Sequence, residues 1–329
     1  MLLSGAEKLE RMRDGRRLFV GAERIEDVTR HPAFRRGAET VARLYDLKRG
    51  HAFEEDGDRF SLYWLRCRSR DDLALRTASL KAIADATYGL FGRSPDHVAG
   101  MVTGLAMRPE ILDALRPGTG ANLMRYYKHA RRNDLYLAFA VVPPSGIRSS
   151  DLFPGQECDD PRLQVVEETD RGVVVSGMKM LATAAAYADE VWIGNLTPID
   201  DKYRAESITA ALPLNAPGVS LWARRPYAAS IEHEADYPLS WRFDESDCVL
   251  VCERVLVPWE RVFLHNDGAW SRRIYIESPA NCYANHQSNV RFWAKMGLVA
   301  GLARISHRWV APGQDWRVVA AMSEQECGE

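Results

Sequence analysis

Near residue 135 the apolar spacing of this chain shortens from about 3.6 residues to 2, and near residue 279 it lengthens again. A chain that changes period in blocks, rather than every dozen residues, cannot be assembled from strand–helix–strand crossovers. It must keep its helices and its sheet apart, so an α+β architecture is expected. Residues 135–142 are β-prone and stop at Pro143-Pro144. Residues 163–167 and 173–177 flank Asp170-Arg171-Gly172 as a hairpin would, and 191–196, 208–212 and 248–256 add further strands. The spacing therefore predicts a helical domain over 1–135 and an antiparallel barrel or sandwich over 136–265. A further helix follows within 266–310, and 311–329 form a tail without apolar periodicity. In that helix Phe292, Met296, Val299 and Ala303 share a face, and Ala311-Pro312-Gly313 ends it.

Within the first block, Leu90-Phe91-Gly92-Arg93-Ser94-Pro95-Asp96-His97 reads as a helix stop, a corner and a helix start. Leu80, Ile83, Ala84, Thr87, Leu90 and Phe91 recur at helical spacing, with Gly92 as the terminator. Ser94 suits an N-cap, and Pro95 the first helical position, where its missing N–H costs nothing. Arg93 then stands just outside a helix N-terminus and His97 on its first turn. A guanidinium, an imidazole and free backbone N–H groups would converge on one anion-accepting spot.

At 329 residues with a formal charge of −2, the chain is long enough for two domains and lacks the charge for a general nucleic-acid or membrane-surface role. The basic run from Arg125 to Arg132 reads as a solvated helix face, because nothing extends it. No apolar stretch approaches the roughly 20 residues of a membrane span, and charge follows Met1-Leu2-Leu3 too soon for a signal peptide. A cytoplasmic protein is expected. The six cysteines show no CxxC or other metal spacing, so free, mostly buried thiols and no metal are expected.

Gly92-Arg93-Ser94-Pro95-Asp96-His97 resembles the Gly-Arg-Ser-Pro-Asp-Tyr/His motif of the large, oxygenase components of the flavin-dependent 4-hydroxyphenylacetate 3-monooxygenase family. Further segments match that family in its own order, from about residue 3 to about residue 310. They include Leu3-Ser4-Gly5-Ala6-Glu7, His31-Pro32-Ala33-Phe34-Arg35, Asn133-Asp134-Leu135-Tyr136-Leu137, Lys179-Met180-Leu181-Ala182-Thr183 and Val257-Pro258-Trp259-Glu260-Arg261-Val262. The resemblance implies an acyl-CoA-dehydrogenase-like fold ending in a four-helix bundle, of which this chain holds only the first helix. A C-terminally truncated member is the expectation.

The resemblance also implies a chemistry. Such oxygenases take FADH2 from a separate flavin reductase and, with O2, hydroxylate a phenol ortho to its hydroxyl; full-length relatives form tetramers or dimers. By the motif match Arg93 would hold the phenolate, and His97 would donate to it or act as base. Phe139 stands where the family has a His and cannot move a proton; with Asn195 and Leu196 it would border the substrate. Ser145, Arg148, Ser149 and Thr183 fall on positions that contact FAD. A related dehydratase ligates an iron–sulfur cluster near this corner, but no cysteine lies between Cys67 and Cys158 to do so here. The alternative of another class is a non-catalytic fragment or flavin-free binding module of the same fold.

Overall fold

The computed structural model describes residues 2–145, 160–230 and 232–310, so the expectations for Arg148, Ser149 and the 311–329 tail lie outside the described residues. The first helices are α1 (Gly5–Arg11), α2 (Arg35–Lys48), α3 (Arg70–Ala86), α4 (Asp96–Leu105), α5 (Glu110–Asp113) and α6 (Thr119–Arg132). Capping boxes open two of them: Ser4 with Glu7 on α1, and Ser69 with Asp72 on α3. The end of α3 differs from expectation. It stops at Ala86, and the chain reverses through Tyr88 (φ 51) and Gly89 (φ 64), whose N–H donates to the Ala84 carbonyl at 2.8 Å. A Cβ on Gly89 would lie 2.1 Å from the Arg291 carbonyl oxygen, so the terminating glycine is Gly89 and not Gly92.

The strands are β1 (Leu18–Val20), β2 (Glu23–Ile25), β3 (Ala52–Glu55), β4 (Asp58–Ser61), β5 (Leu137–Ala140), β6 (Gln164–Glu168), β7 (Gly172–Thr183), β8 (Glu190–Ile193), β9 (Ile208–Pro213), β10 (Val219–Ala223), β11 (Asp247–Pro258) and β12 (Val262–His265). They form a six-stranded sheet in the order β2-β1-β10-β11-β7-β6, a four-stranded sheet β12-β9-β8-β5 and the hairpin β3-β4. Two pairings depart from the antiparallel expectation, since β1–β10 and β5–β8 run parallel. Both join strands far apart in sequence, where no short turn dictates direction. The β1-β2 hairpin, although embedded in the helical stretch, thereby becomes one end of the large sheet.

Helices and sheets share one core. Trp192 of β8 and Phe263 of β12 stack with centroids 4.8 Å apart, and Tyr126 of α6 packs on both at 5.8 and 5.4 Å. Buried ion pairs stitch the layers: Lys8 Nζ reaches Asp189 at 2.7 Å, and Lys48 pairs with the fully buried Asp134 just before β5. Cys248 and Cys252 are buried thiols whose pKa values burial pushes up to about 12.

Helices α7 (Pro238–Phe243), α8 (Trp270–Ile276) and the long α9 (Ala280–Val310) complete the described chain. Helix α9 packs on α3 and α4. Close approach at its start depends on Gly104 of α4, where an added Cβ would sit 2.5 Å from Ala280 Cα. Farther along, Phe292, Trp293, Val299, Leu302 and Ile305 of α9 are exposed. No described helix is long and apolar enough to cross a membrane.

Candidate active site

The corner before α4 brings Arg93 and His97 together: Arg93 Nη1 lies 2.8 Å from His97 Nε2. The chain holds the Arg93 peptide from both sides. Its N–H donates to the Glu245 carboxylate, and the Tyr136 hydroxyl donates to its carbonyl. The expected anion-accepting backbone N–H at this position is thus already taken by a carboxyl group of the chain itself. Of the Arg93 guanidinium, only the bond to His97 has a partner among the described residues, which leaves further N–H donors free.

Ser94 does not cap the helix as expected. Helix α4 begins at Asp96, and the Ser94 hydroxyl donates to Asp96 Oδ1 at 2.5 Å, since the carboxylate is the stronger acceptor within reach. Gln287, from the second turn of α9, completes the arrangement. Its Oε1 is 3.1 Å from His97 Nδ1, and its Nε2 is 3.2 Å from both Ser94 Oγ and Asp96 Oδ1. Burial, and then the neighbouring Arg93 cation, push the His97 pKa down to about 3. Burial pushes Glu245 up to about 7, against the stabilising Arg93 N–H and guanidinium.

Phe139 of β5 stands between this cluster and open space. Its ring centroid is 6.5 Å from that of His97 and 6.5 Å from that of Tyr275. On its far side a cavity of about 480 Å³ is lined by Phe139, Asn195, Leu196, Met101, Tyr275 and Arg272, among others. Three expected substrate neighbours therefore meet at one wall, whereas Arg93 and His97 do not line this cavity. Asn195 and Leu196 also border a second cavity of about 450 Å³, beside Val142 and Pro143, so they partition the two. The Asn195 carboxamide is fully engaged: it accepts from Lys179 Nζ at 2.7 Å and donates to the Glu206 carbonyl at 3.2 Å. Burial pushes the Lys179 pKa down to about 8, with Glu206 opposing.

Of the expected flavin contacts, Ser145 and Thr183 are described. The exposed Ser145 hydroxyl lies 4.0 Å from Met180 Sδ of β7, and Thr183 Oγ1 donates to Asp247 Oδ1 at 2.6 Å. Between them Leu181 is 52% exposed. An exposed apolar side chain two residues from a hydroxyl suits a ring system with apolar faces and a polar edge, and Thr183 Oγ1 retains acceptor capacity. The residues present fit a flavin.

Sequence reasoning assigned no role to Gln287, Glu245, Tyr136 or Lys179. Two carried a signal: Lys179 interrupts an apolar strand, and Gln287 is a polar residue on a buried helix face. Glu245 and Tyr136 carried none, because their partner Arg93 is distant in sequence.

Comparison with known proteins bears on this geometry. The chain is 38% identical over 278 residues to the oxygenase component of 4-nitrophenol 2-monooxygenase from Rhodococcus sp, covering 80% of this chain and 51% of that protein. It is 30% identical over 316 residues to the 4-hydroxyphenylacetate 3-monooxygenase oxygenase component of Escherichia coli, covering 92% and 59%. The crystal structure of such an oxygenase component complexed with FAD and 4-hydroxyphenylacetate superposes with a TM-score of 0.85 at 31% identity, covering 93% of this chain and 64% of that one. The chain thus spans between 51% and 64% of the length of these relatives. A family model described as 4-hydroxyphenylacetate 3-hydroxylase N terminal matches residues 4–264. With that match over most of its length, the chain belongs to the 4-hydroxyphenylacetate 3-hydroxylase family.

Proposed function

We propose that this chain carries the phenol-hydroxylating centre of the oxygenase component of a two-component monooxygenase. Its substrate is a phenol of the 4-hydroxyphenylacetate kind; O2 is the co-substrate and a separate flavin reductase supplies FADH2. The observation that carries this reading is Arg93: a half-buried guanidinium just before a helix N-terminus, bonded to His97, whose ring lies 6.5 Å from Phe139, a wall residue of the cavity. A free phenol has a pKa of about 10, and its ring attacks an electrophilic oxygen far better as phenolate. A fixed cation in a partly desolvated site lowers that pKa and holds the oxyanion.

Phe139 and Tyr275 would flank the aromatic ring, and Leu196 would close the side shared with the second cavity. Thr183 and Ser145 would hold the flavin by its polar edge. Reduced flavin bound there supplies the activated dioxygen. The part of the chain is to orient the phenol, keep it ionised and exclude water.

The test is a reductase-coupled assay of the purified chain with 4-hydroxyphenylacetate, alongside anaerobic titration with FADH2. Arg93→Ala should lose about 10- to 100-fold in hydroxylation, since a charged hydrogen bond is worth about 1.5–3 kcal/mol. Unchanged turnover of that variant at saturating phenol would remove Arg93 from the site. A monodisperse chain that binds neither flavin nor phenol would favour the flavin-free binding module instead.

A further inference from the structure

We infer that Gln287 is a positioning residue that fixes which nitrogen of His97 carries the proton, and through it aims the Arg93 guanidinium. The assignment starts from the one group whose polarity is beyond choice. Arginine has N–H donors only and does not lose its proton in proteins. With Arg93 Nη1 2.8 Å from His97 Nε2, that nitrogen must offer a lone pair. The ring is 5% exposed and faces a fixed cation, conditions under which imidazole is neutral, so its single proton sits on Nδ1.

An Nδ1–H needs an acceptor, and the atom 3.1 Å away is the Gln287 carboxamide. Its oxygen therefore faces His97, and its nitrogen faces Ser94 Oγ and Asp96 Oδ1, each at 3.2 Å. The flipped carboxamide fails at both ends. It would set N–H against N–H at His97 and bring its oxygen against Asp96 Oδ1, which already accepts the Ser94 hydroxyl at 2.5 Å. One orientation satisfies all of these contacts, and the donor direction runs unbroken: Arg93 to His97, His97 to Gln287, Gln287 to Ser94 and Asp96.

This reassigns His97. Its Nε2 has no hydrogen to give a phenolate, and its only N–H is spent on Gln287. The ring works as an acceptor that steers Arg93, in place of the expected donor or base. The network needs both the α4 corner and α9, so the guanidinium is aimed only once α9 has docked.

The tautomer assignment stands by itself; its effect on phenol binding rests on the function proposed above. Long-range 1H–15N correlation on the 15N-histidine-labelled chain reads the tautomer directly, with His97→Asn identifying the His97 signals. The expected result at pH 7 is a neutral ring protonated on Nδ1; an Nε2–H tautomer or an imidazolium would overturn the inference. Gln287→Leu removes the acceptor and should release the ring into mixed tautomers, while raising the Kd for 4-hydroxyphenylacetate about tenfold. Retention of a pure Nδ1–H ring in that variant would equally overturn it. Gln287→Glu keeps an acceptor, so the Nδ1 proton should persist and the ring should protonate at higher pH than in the native chain; an unmoved titration would show that residue 287 does not govern the ring. If the tautomer behaves as stated while neither native nor variant chain binds a phenol, the positioning role holds and the proposed function falls.

Discussion

Lys179 Nζ lies 2.7 Å from Asn195 Oδ1, a buried cation bonded to the residue that divides the two cavities. Lys179→Met would leave the oxygen of the buried Asn195 side chain without its donor. The expected cost is about 1–3 kcal/mol in urea unfolding, the usual penalty for a stranded buried acceptor. The partition at Asn195 and Leu196 should loosen with it. Unfolding midpoints that coincide for native and variant chains would show that the bond is energetically idle.

Stability should depend on pH through two groups of opposite sign at the Arg93 corner. His97, held at about 3 against an ordinary 6.5, contributes stability above pH 6.5 that is lost as pH falls toward 3. Glu245, held at about 7 against 4.5, contributes below pH 4.5, and that contribution is lost as pH rises to 7. Each amounts to a few kcal/mol, at about 1.4 kcal/mol per pH unit. Between pH 4.5 and 6.5 they oppose one another. Glu245→Gln should therefore steepen the loss of stability on acidification through that window, and His97→Asn should reverse its slope. Denaturant midpoints for the three chains across pH 4–7.5 would decide it, and parallel curves would count against both assignments.

Gly104→Ala should push α9 away from α4. The added methyl would meet Ala280 backbone atoms at 2.5 Å, which have no flexible end to yield. Overpacking of this kind costs about 1–3 kcal/mol. A displaced α9 would also carry Gln287 from His97, so the His97 ring signals should broaden or shift. Preserved stability and signals would mean that the helix start adjusts freely.

The outward side of α9 should drive self-association. Phe292, Val299, Leu302 and Ile305 are each about half exposed on one helix, at 54%, 47%, 50% and 56%. Contiguous apolar surface of this kind marks an interface or an aggregation liability. A second copy of the chain is the expected partner, and the combined Phe292→Ser, Val299→Ser, Leu302→Ser variant should lower the mass found by light scattering. A native chain that stays monomeric at high concentration would rule this face out as a contact.

Much of the architecture was legible because periodicity reports which side of an element is buried. The β6–β7 hairpin about Asp170-Arg171-Gly172 and the long α9 both lie where the pattern puts them. Periodicity does not say what covers the buried side. Hence the parallel pairing of β1 with β10, and the Glu245 carboxylate on Arg93, could not be read in advance. The substitution of Gly89 for Gly92 as the α3 terminator has the same origin: the deciding contact is Arg291, some 200 residues away. The proximity of Arg93 and His97 was expected from helix-start chemistry, which is local. Gln287, which decides what His97 can do, is not local at all.

The two bonds that clamp the Arg93 peptide, and the one that orients His97, span 43, 152 and 190 residues of chain. On a ribosome adding about 5–20 residues per second, Gln287 is made roughly 10–40 seconds after His97. Until then the corner has its charged groups but no means of fixing them. Contacts of such long range close late, because their loop entropy must be overcome first. Arg93 is thus set in place only after residue 287 has been made, and a nascent chain that stops short of it cannot present an aimed guanidinium to an anion.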